Sequence, residues 1–226
     1  MKNPKLIIFD LDGTFYDIND VIESVYDCQV AFFSAQRHIS VEAAKDIFTK
    51  NCIFPYASPE SKSCTEYFER NGIDKWEWAA YRESHFDVSK IDVSKAVTPA
   101  VIRQYAEAYR ICLLSSNTYA TIQRILSRLG IDAELFTRII SSDRFVSSNK
   151  FNKREAMSAI IRDCSLEARE CLSIGDRYNT DILPMLELGG AGALVKTPRA
   201  LVSLYEGLHS GNIENCEDCT YHAARI

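Results

Sequence analysis

The fold is decided by the stretch Lys5–Asp17, KLIIFDLDGTFYD. A short, continuously apolar run ends at two aspartates two residues apart, Asp10 and Asp12, followed by Gly13 and Thr14. Such a run reads as a strand buried on both faces. Two like charges at its end repel each other, so the pair lowers stability unless something neutralises or uses it. Side chains two apart on an extended chain share a face, which puts Asp10 and Asp12 together.

Four further runs have the same character: YRICLLS (109–115), TRIIS (137–141), CLSIG (171–175) and AGALV (191–195). Helical patterns alternate with them. TYATIQRILSRLG aligns Ile122, Ile125, Leu126 and Leu129 on one stripe and ends at Gly130, a C-terminal cap. KREAMSAIIRDC does the same with Met157, Ile160 and Ile161. Strand–helix alternation predicts an α/β fold with a Rossmann-like parallel sheet.

Residues 19–97 break the alternation. DVIESVYDCQVAFFSAQRHI, SVEAAKDIFTKNC, SKSCTEYFERNG and DKWEWAAYRESHF all read as helices, and no buried strand lies among them. An inserted α-helical cap domain over 19–97 follows, with the α/β core made of 1–18 and 98–210 and a C-terminal tail over 211–226. Thr98 as N-cap and Pro99 at the first helical position restart the core. The aromatics of the insertion, Phe54, Tyr56, Tyr67, Phe68, Trp76, Trp78, Tyr81 and Phe86, are expected to pack its helices together.

Composition narrows the function. The chain has 226 residues, 46% apolar and 25% charged, enough for a large core. A net charge of −5 without a basic block gives no footprint for nucleic acid. No signal peptide or membrane-length run is visible, so a cytoplasmic location and no membrane partner are expected. The eight cysteines then read as reduced thiols. CEDCTYH (216–222), with His209 upstream, has spacing that could hold zinc, but a loose tail with free thiols is the preferred expectation.

Ligands of open parallel sheets bind beyond the carboxyl ends of the strands. In this sequence those ends carry Asp10, Asp12, Gly13 and Thr14; Ser115, Ser116 and Asn117; Lys150 and Lys153; Asp176 and Asp181; and Lys196. Four carboxylates on one edge call for a hard divalent cation, and Mg²⁺ commonly takes carboxylates, water and a substrate phosphate. A lysine and a hydroxyl suit phosphate oxygens.

FDLDGT, LLSSN, Lys150 and GDRYNTD, in this order, resemble the four motifs of the haloacid dehalogenase superfamily of hydrolases. The match spans roughly 1–18 and 98–200, and the insertion looks like that family's small mobile cap. The resemblance implies strand order 5-4-1-2-3 and a set of roles. Asp10 would be the nucleophile that forms an aspartyl-phosphate, and Asp12 the general acid and base. Asp12, Gly13, Ser116, Asn117 through its backbone, and Lys150 would hold the phosphoryl group. Asp10, the Asp12 carbonyl, Asp176 and, nearby or through water, Asp181 would bind Mg²⁺. Lys150 is preferred to Lys153 because its distance before Gly175 is nearer the family spacing, although Phe151 stands where the family has proline.

Asp12 argues against the dehalogenases and phosphonatases of the superfamily, which lack a carboxylate there. The expected function is Mg²⁺-dependent hydrolysis of a small phosphate monoester, with a small phosphorylated metabolite as partner. A sugar phosphomutase, or a metal-binding regulatory module without turnover, are the alternatives.

Overall fold

The computed structural model describes residues 4–53, 64–145, 151–213 and 216–224. The chain divides into two compact units, Met1–Ile18 with Ile91–Ile226, and Asn19–Lys90.

The first unit begins with β1 (Leu6–Phe9), whose four residues are all buried. The second unit follows, with α1 (Ile22–Arg37), α2 (Val41–Lys50), α3 (Cys64–Arg70) and α4 (Lys75–His85). Ser40 caps α2 by accepting from the Ala43 N–H, and Asp74 caps α4 by accepting from the Trp76 N–H. The core of this unit is aromatic: Phe32, Phe33, Phe48, Phe68 and Trp78 are buried together. Phe33 and Phe68 stack with ring centroids 5.7 Å apart. Trp76, in contrast, is 45% exposed and takes no part in the core. Phe54 and Tyr56 lie outside the described residues.

The chain returns to the first unit at Ile91, not at Thr98. Ile91 is fully buried and its carbonyl accepts from Arg128 Nη2 at 3.0 Å. The Val97 N–H donates to the Phe15 carbonyl at 2.8 Å. These bonds tie 91–97 to the sheet unit, which a helical pattern alone could not reveal.

Then come α5 (Pro99–Ala108), β2 (Arg110–Leu114), α6 (Tyr119–Leu129), β3 (Arg138–Ile140), α7 (Lys153–Asp163), β4 (Cys171–Gly175), α8 (Leu183–Glu187), β5 (Ala191–Val195), α9 (Ala200–Ser210) and β6 (Cys219–Ala223). A π-helical turn, Tyr178–Ile182, joins β4 to α8. Strand order is β3-β2-β1-β4-β5-β6. The first five strands are parallel, in the order the family resemblance implies, and β6 adds an antiparallel edge.

On one face, Leu6, Ile8, Cys112, Leu114 and Cys171 pack against Met157, Ile160 and Ile161 of α7 and Met185 of α8. On the other, Phe9 meets Tyr105 of α5 edge-on at 5.1 Å, and the Tyr105 hydroxyl donates to the Leu201 carbonyl at 2.8 Å. Burial of such side chains is worth about 1.5–3 kcal/mol each before entropy is counted, so β1 is held from both sides and its end is a rigid platform.

The tail is not loose. Residues 219–223 pair with β5 over Ala191↔Ala223 to Val195↔Cys219. Cys216 and Cys219 are joined as a disulfide, contrary to the expectation of free thiols, while the other six cysteines are unpaired. His222 packs edge-on against Tyr178 and His209 stacks on Tyr205. Among the described residues, no helix is long and apolar enough to cross a membrane.

Candidate active site

The site is built at the carboxyl end of β1. The Asp10 N–H donates to the Ile174 carbonyl at 2.8 Å, so Asp10 is still held in the ladder with β4. Asp10 is 7% exposed. The chain then turns: the Phe15 N–H donates to the Leu11 carbonyl at 2.9 Å, and Gly13 adopts φ 76°, a left-handed value that glycine tolerates.

The end of β4 lies beside this turn. Asp176 packs its carboxylate against Gly13, and a Cβ on residue 13 would overlap Asp176 Oδ2. Gly175 plays the same part for Asp181, whose carboxylate fills the space a Cβ would need. The two glycines therefore let two acidic side chains enter the narrow gap between strand ends. Carboxylate oxygens of Asp10, Asp176 and Asp181 lie within 4.8 Å of one another.

One cation stands among them. Lys153 Nζ lies 2.5 Å from Asp10 Oδ1 and 2.7 Å from Asp181 Oδ1. Lys153 is the first residue of α7, and Asn152 caps that helix by accepting from the Arg154 and Glu155 N–H groups. Burial works against the ammonium, but Asp10 and Asp181 outweigh it and keep it charged. Lys150, expected here from spacing, lies outside the described residues. Among the described residues, the lysine that touches Asp10 is Lys153.

Asp181 is fully engaged, because Oδ1 also accepts from Thr180 Oγ1 at 3.0 Å and Oδ2 accepts from the Arg177 N–H at 2.9 Å. Asp176 is the opposite case. Its Oδ1 is buried and has no hydrogen-bond partner among the described residues. Burial first, and then Asp181, push its carboxyl up to about 7. Burial likewise raises Asp10 well above the ordinary carboxylate range, Lys153 pulling it back only in part. The unpartnered Oδ1 of Asp176, beside the carboxylates of Asp10 and Asp181, makes an oxygen-only donor set that fits a hard divalent cation, which would stabilise these acids as anions.

Asp12 faces a different set of partners. Asn117 Nδ2 donates to Asp12 Oδ2 at 2.7 Å, and the Tyr16 hydroxyl donates to Asp12 Oδ1. At the end of β2, Ser115 is fully buried and Ser116 is exposed. The Ser115 N–H still donates to the Ile140 carbonyl at 3.0 Å, so the sheet pairing extends through it. The Asn117 N–H, expected to face phosphate, donates to Ser115 Oγ at 3.2 Å. The structure thus brings Asp10, Asp12, Gly13, Asn117, Asp176 and Asp181 into one connected cluster. Lys153 and Ser115, strand-end candidates in the sequence, join it, and Tyr16 is new. The asparagine before Lys153 is the helix-start signal that marks this lysine. No comparable sequence signal marks the Tyr16 hydroxyl.

A family model for hydrolases of the haloacid dehalogenase-like type matches residues 4–189. Pyrophosphatase PpaX of Listeria monocytogenes serotype 4a is 26% identical over 176 residues, covering 76% of this chain and 75% of the relative. Its counterpart in Listeria innocua is 28% identical over 178 residues, with the same coverage. Among solved structures, a HAD phosphatase from Thermococcus onnurineus superposes with a TM-score of 0.61 at 18% identity, over 95% of this chain and 99% of that one. The HAD-hydrolase YfnB of Bacillus subtilis, bound to magnesium, gives 0.56 at 13% identity, over 91% and 100%. The sheet order, the clustered acids and a family match across most of the chain agree: this protein belongs to the haloacid dehalogenase-like hydrolases.

Proposed function

We propose that the protein is a Mg²⁺-dependent phosphatase that hydrolyses a small phosphate monoester through an aspartyl-phosphate on Asp10. The observation that carries this reading is the ion pair of Lys153 with Asp10, set beside Asp176, whose Oδ1 is buried without a partner among the described residues. Asp10, Asp176 and the Asp12 carbonyl would hold Mg²⁺, with Asp181 close by. The ion would supply positive charge against the phosphoryl oxygens.

In the first half-reaction an Asp10 carboxylate oxygen attacks phosphorus and the bond to the leaving oxygen breaks. Asp12 gives its proton to that oxygen. Lys153 and, once substrate is bound, the Ser116 hydroxyl would take the phosphoryl oxygens, and Gly13 would let the backbone come near. In the second half-reaction water attacks phosphorus, Asp12 takes the water's proton, and the electron pair of the breaking bond returns to Asp10.

Purified protein should release phosphate from p-nitrophenyl phosphate only with a divalent cation, and Asp10→Asn should lower turnover by about 10³-fold or more, roughly 4 kcal/mol of barrier. Near-normal hydrolysis by Asp10→Asn would refute the nucleophile. A second reading, inorganic pyrophosphate as substrate, is favoured by the name of the Listeria relatives. A panel of pyrophosphate, sugar phosphates, nucleotides and small phospho-acids separates the two.

A further inference from the structure

Asp12 is held from both sides. Tyr16 donates through its hydroxyl to Oδ1, and Asn117 donates through Nδ2 to Oδ2 at 2.7 Å. Both donors are fixed. Tyr16 is fully buried, and residues 12 and 16 form a backbone bridge. Asn117 is 2% exposed, and its N–H and Nδ2 both donate to Ser115 Oγ, at 3.2 and 3.1 Å. The amide has its nitrogen toward Asp12 because a carboxylate only accepts, and the carbonyl oxygen there would repel it.

A carboxylate bonded at one oxygen can still swing about its terminal torsion. Bonded at both, it keeps one plane. Productive proton transfer needs the base within hydrogen-bond reach and well aimed. Resting on the phosphatase reading above, we propose that Tyr16 is a positioning residue which, with Asn117, fixes the Asp12 carboxylate for the step in which water hydrolyses the phosphorylated Asp10. In that step a water oxygen bonds to phosphorus, the phosphorus–Asp10 bond breaks with its electron pair returning to Asp10, and the water's proton goes to Asp12. Tyr16 exchanges no proton; its part in this step is to hold Asp12.

Rapid mixing with p-nitrophenyl phosphate and Mg²⁺ separates the half-reactions. Nitrophenolate leaves without help from an acid, so the first half needs Asp12 little. Tyr16→Phe keeps the ring and removes the hydroxyl. Phosphorylation should stay within about twofold of wild type, while steady-state turnover falls about tenfold or more, the scale of one lost hydrogen bond to a charged group. Phosphoryl-protein should accumulate, seen by mass spectrometry on Asp10. In an Asp12→Asn background, Tyr16→Phe should have no further effect.

A purely structural role would slow both half-reactions and would add to the Asp12→Asn defect, and that result overturns the proposal. Unaltered turnover in Tyr16→Phe overturns it too, while an active wild type leaves the phosphatase reading standing. A wild-type chain inert toward the phosphate panel overturns that reading and this role with it. If Tyr16→Phe does not fold, Asn117→Ala frees the opposite oxygen and must show the same loss and the same non-additivity.

Discussion

Lys153 Nζ sits 2.5 Å from Asp10 Oδ1 with only 12% of the lysine side chain exposed. The same ammonium is 2.7 Å from Asp181. One cation therefore balances two carboxylates that are themselves out of water. Lys153→Met should leave those acids facing each other and lower stability by about 3–5 kcal/mol, the scale for breaking a buried pair. Turnover should fall at least about 100-fold, because charge aimed at the reacting oxygens is lost. Lys150→Ala should cost far less in both. Denaturant unfolding and steady-state kinetics on the two variants decide it, and a larger loss at Lys150 would overturn the assignment.

These two lysines also mark where the sequence is legible. A strand end announces itself, since an apolar run stops and the next residues must line the sheet edge. Asp10, Asp12, Asp176 and Asp181 were readable for that reason. The lysine arrives on a helix after a loop, so counting back from Gly175 leaves Lys150 and Lys153 both open; Lys153 is the one found against Asp10 among the described residues. The capped helix start at Asn152 marks Lys153 in the sequence. The β6 strand was missed because TYH at its centre has no apolar run, only a half-exposed alternation. Tyr16 was missed because a buried hydroxyl and a buried ring look alike in sequence.

Gly13 is the tightest packing point of the site. Its φ of 76° already disfavours any side chain, and a Cβ would overlap the Asp176 carboxylate. Gly13→Ala should cost about 1–2 kcal/mol in backbone strain. It should also displace Asp176, so Mg²⁺ affinity should fall further than global stability does. Titration calorimetry with Mg²⁺, set beside denaturant unfolding of the same variant, tests this. Unchanged Mg²⁺ binding would show that Asp176 is not part of the metal site.

Thiol reactivity should follow burial. Burial pushes the Cys28 thiol up to about 11 and the Cys112 and Cys171 thiols up to about 12, whereas Cys52 is exposed. The thiolate is the reactive species. Iodoacetamide at pH 8 should label Cys52 first and leave Cys112 and Cys171 untouched until denaturant is added. In denaturant without reductant six thiols should react, and eight after reduction, because Cys216 and Cys219 form a disulfide. Eight reactive thiols before reduction would remove that bond.

Asp176 sets a pH dependence with a definite sign. In the metal-free fold its carboxyl is raised to about 7 from an ordinary 3.8, by burial first and then by Asp181. Between those values the folded chain keeps a proton that the unfolded chain has released. Stability contributed at this site therefore falls as pH rises from about 4 to about 7, and the loss is complete above that. Asp10, raised by burial as well, acts in the same direction. Asp176→Asn keeps the shape and cannot ionise. In EDTA this variant should exceed wild type in Tm at pH 7.5, with the advantage shrinking toward pH 4.5. Saturating Mg²⁺ should then raise the wild-type Tm at pH 7.5, because a ligand that binds only the folded state stabilises it. The variant should gain much less, reversing the order. A Tm difference that stays constant across pH in EDTA would show that Asp176 is not the strained acid of this site.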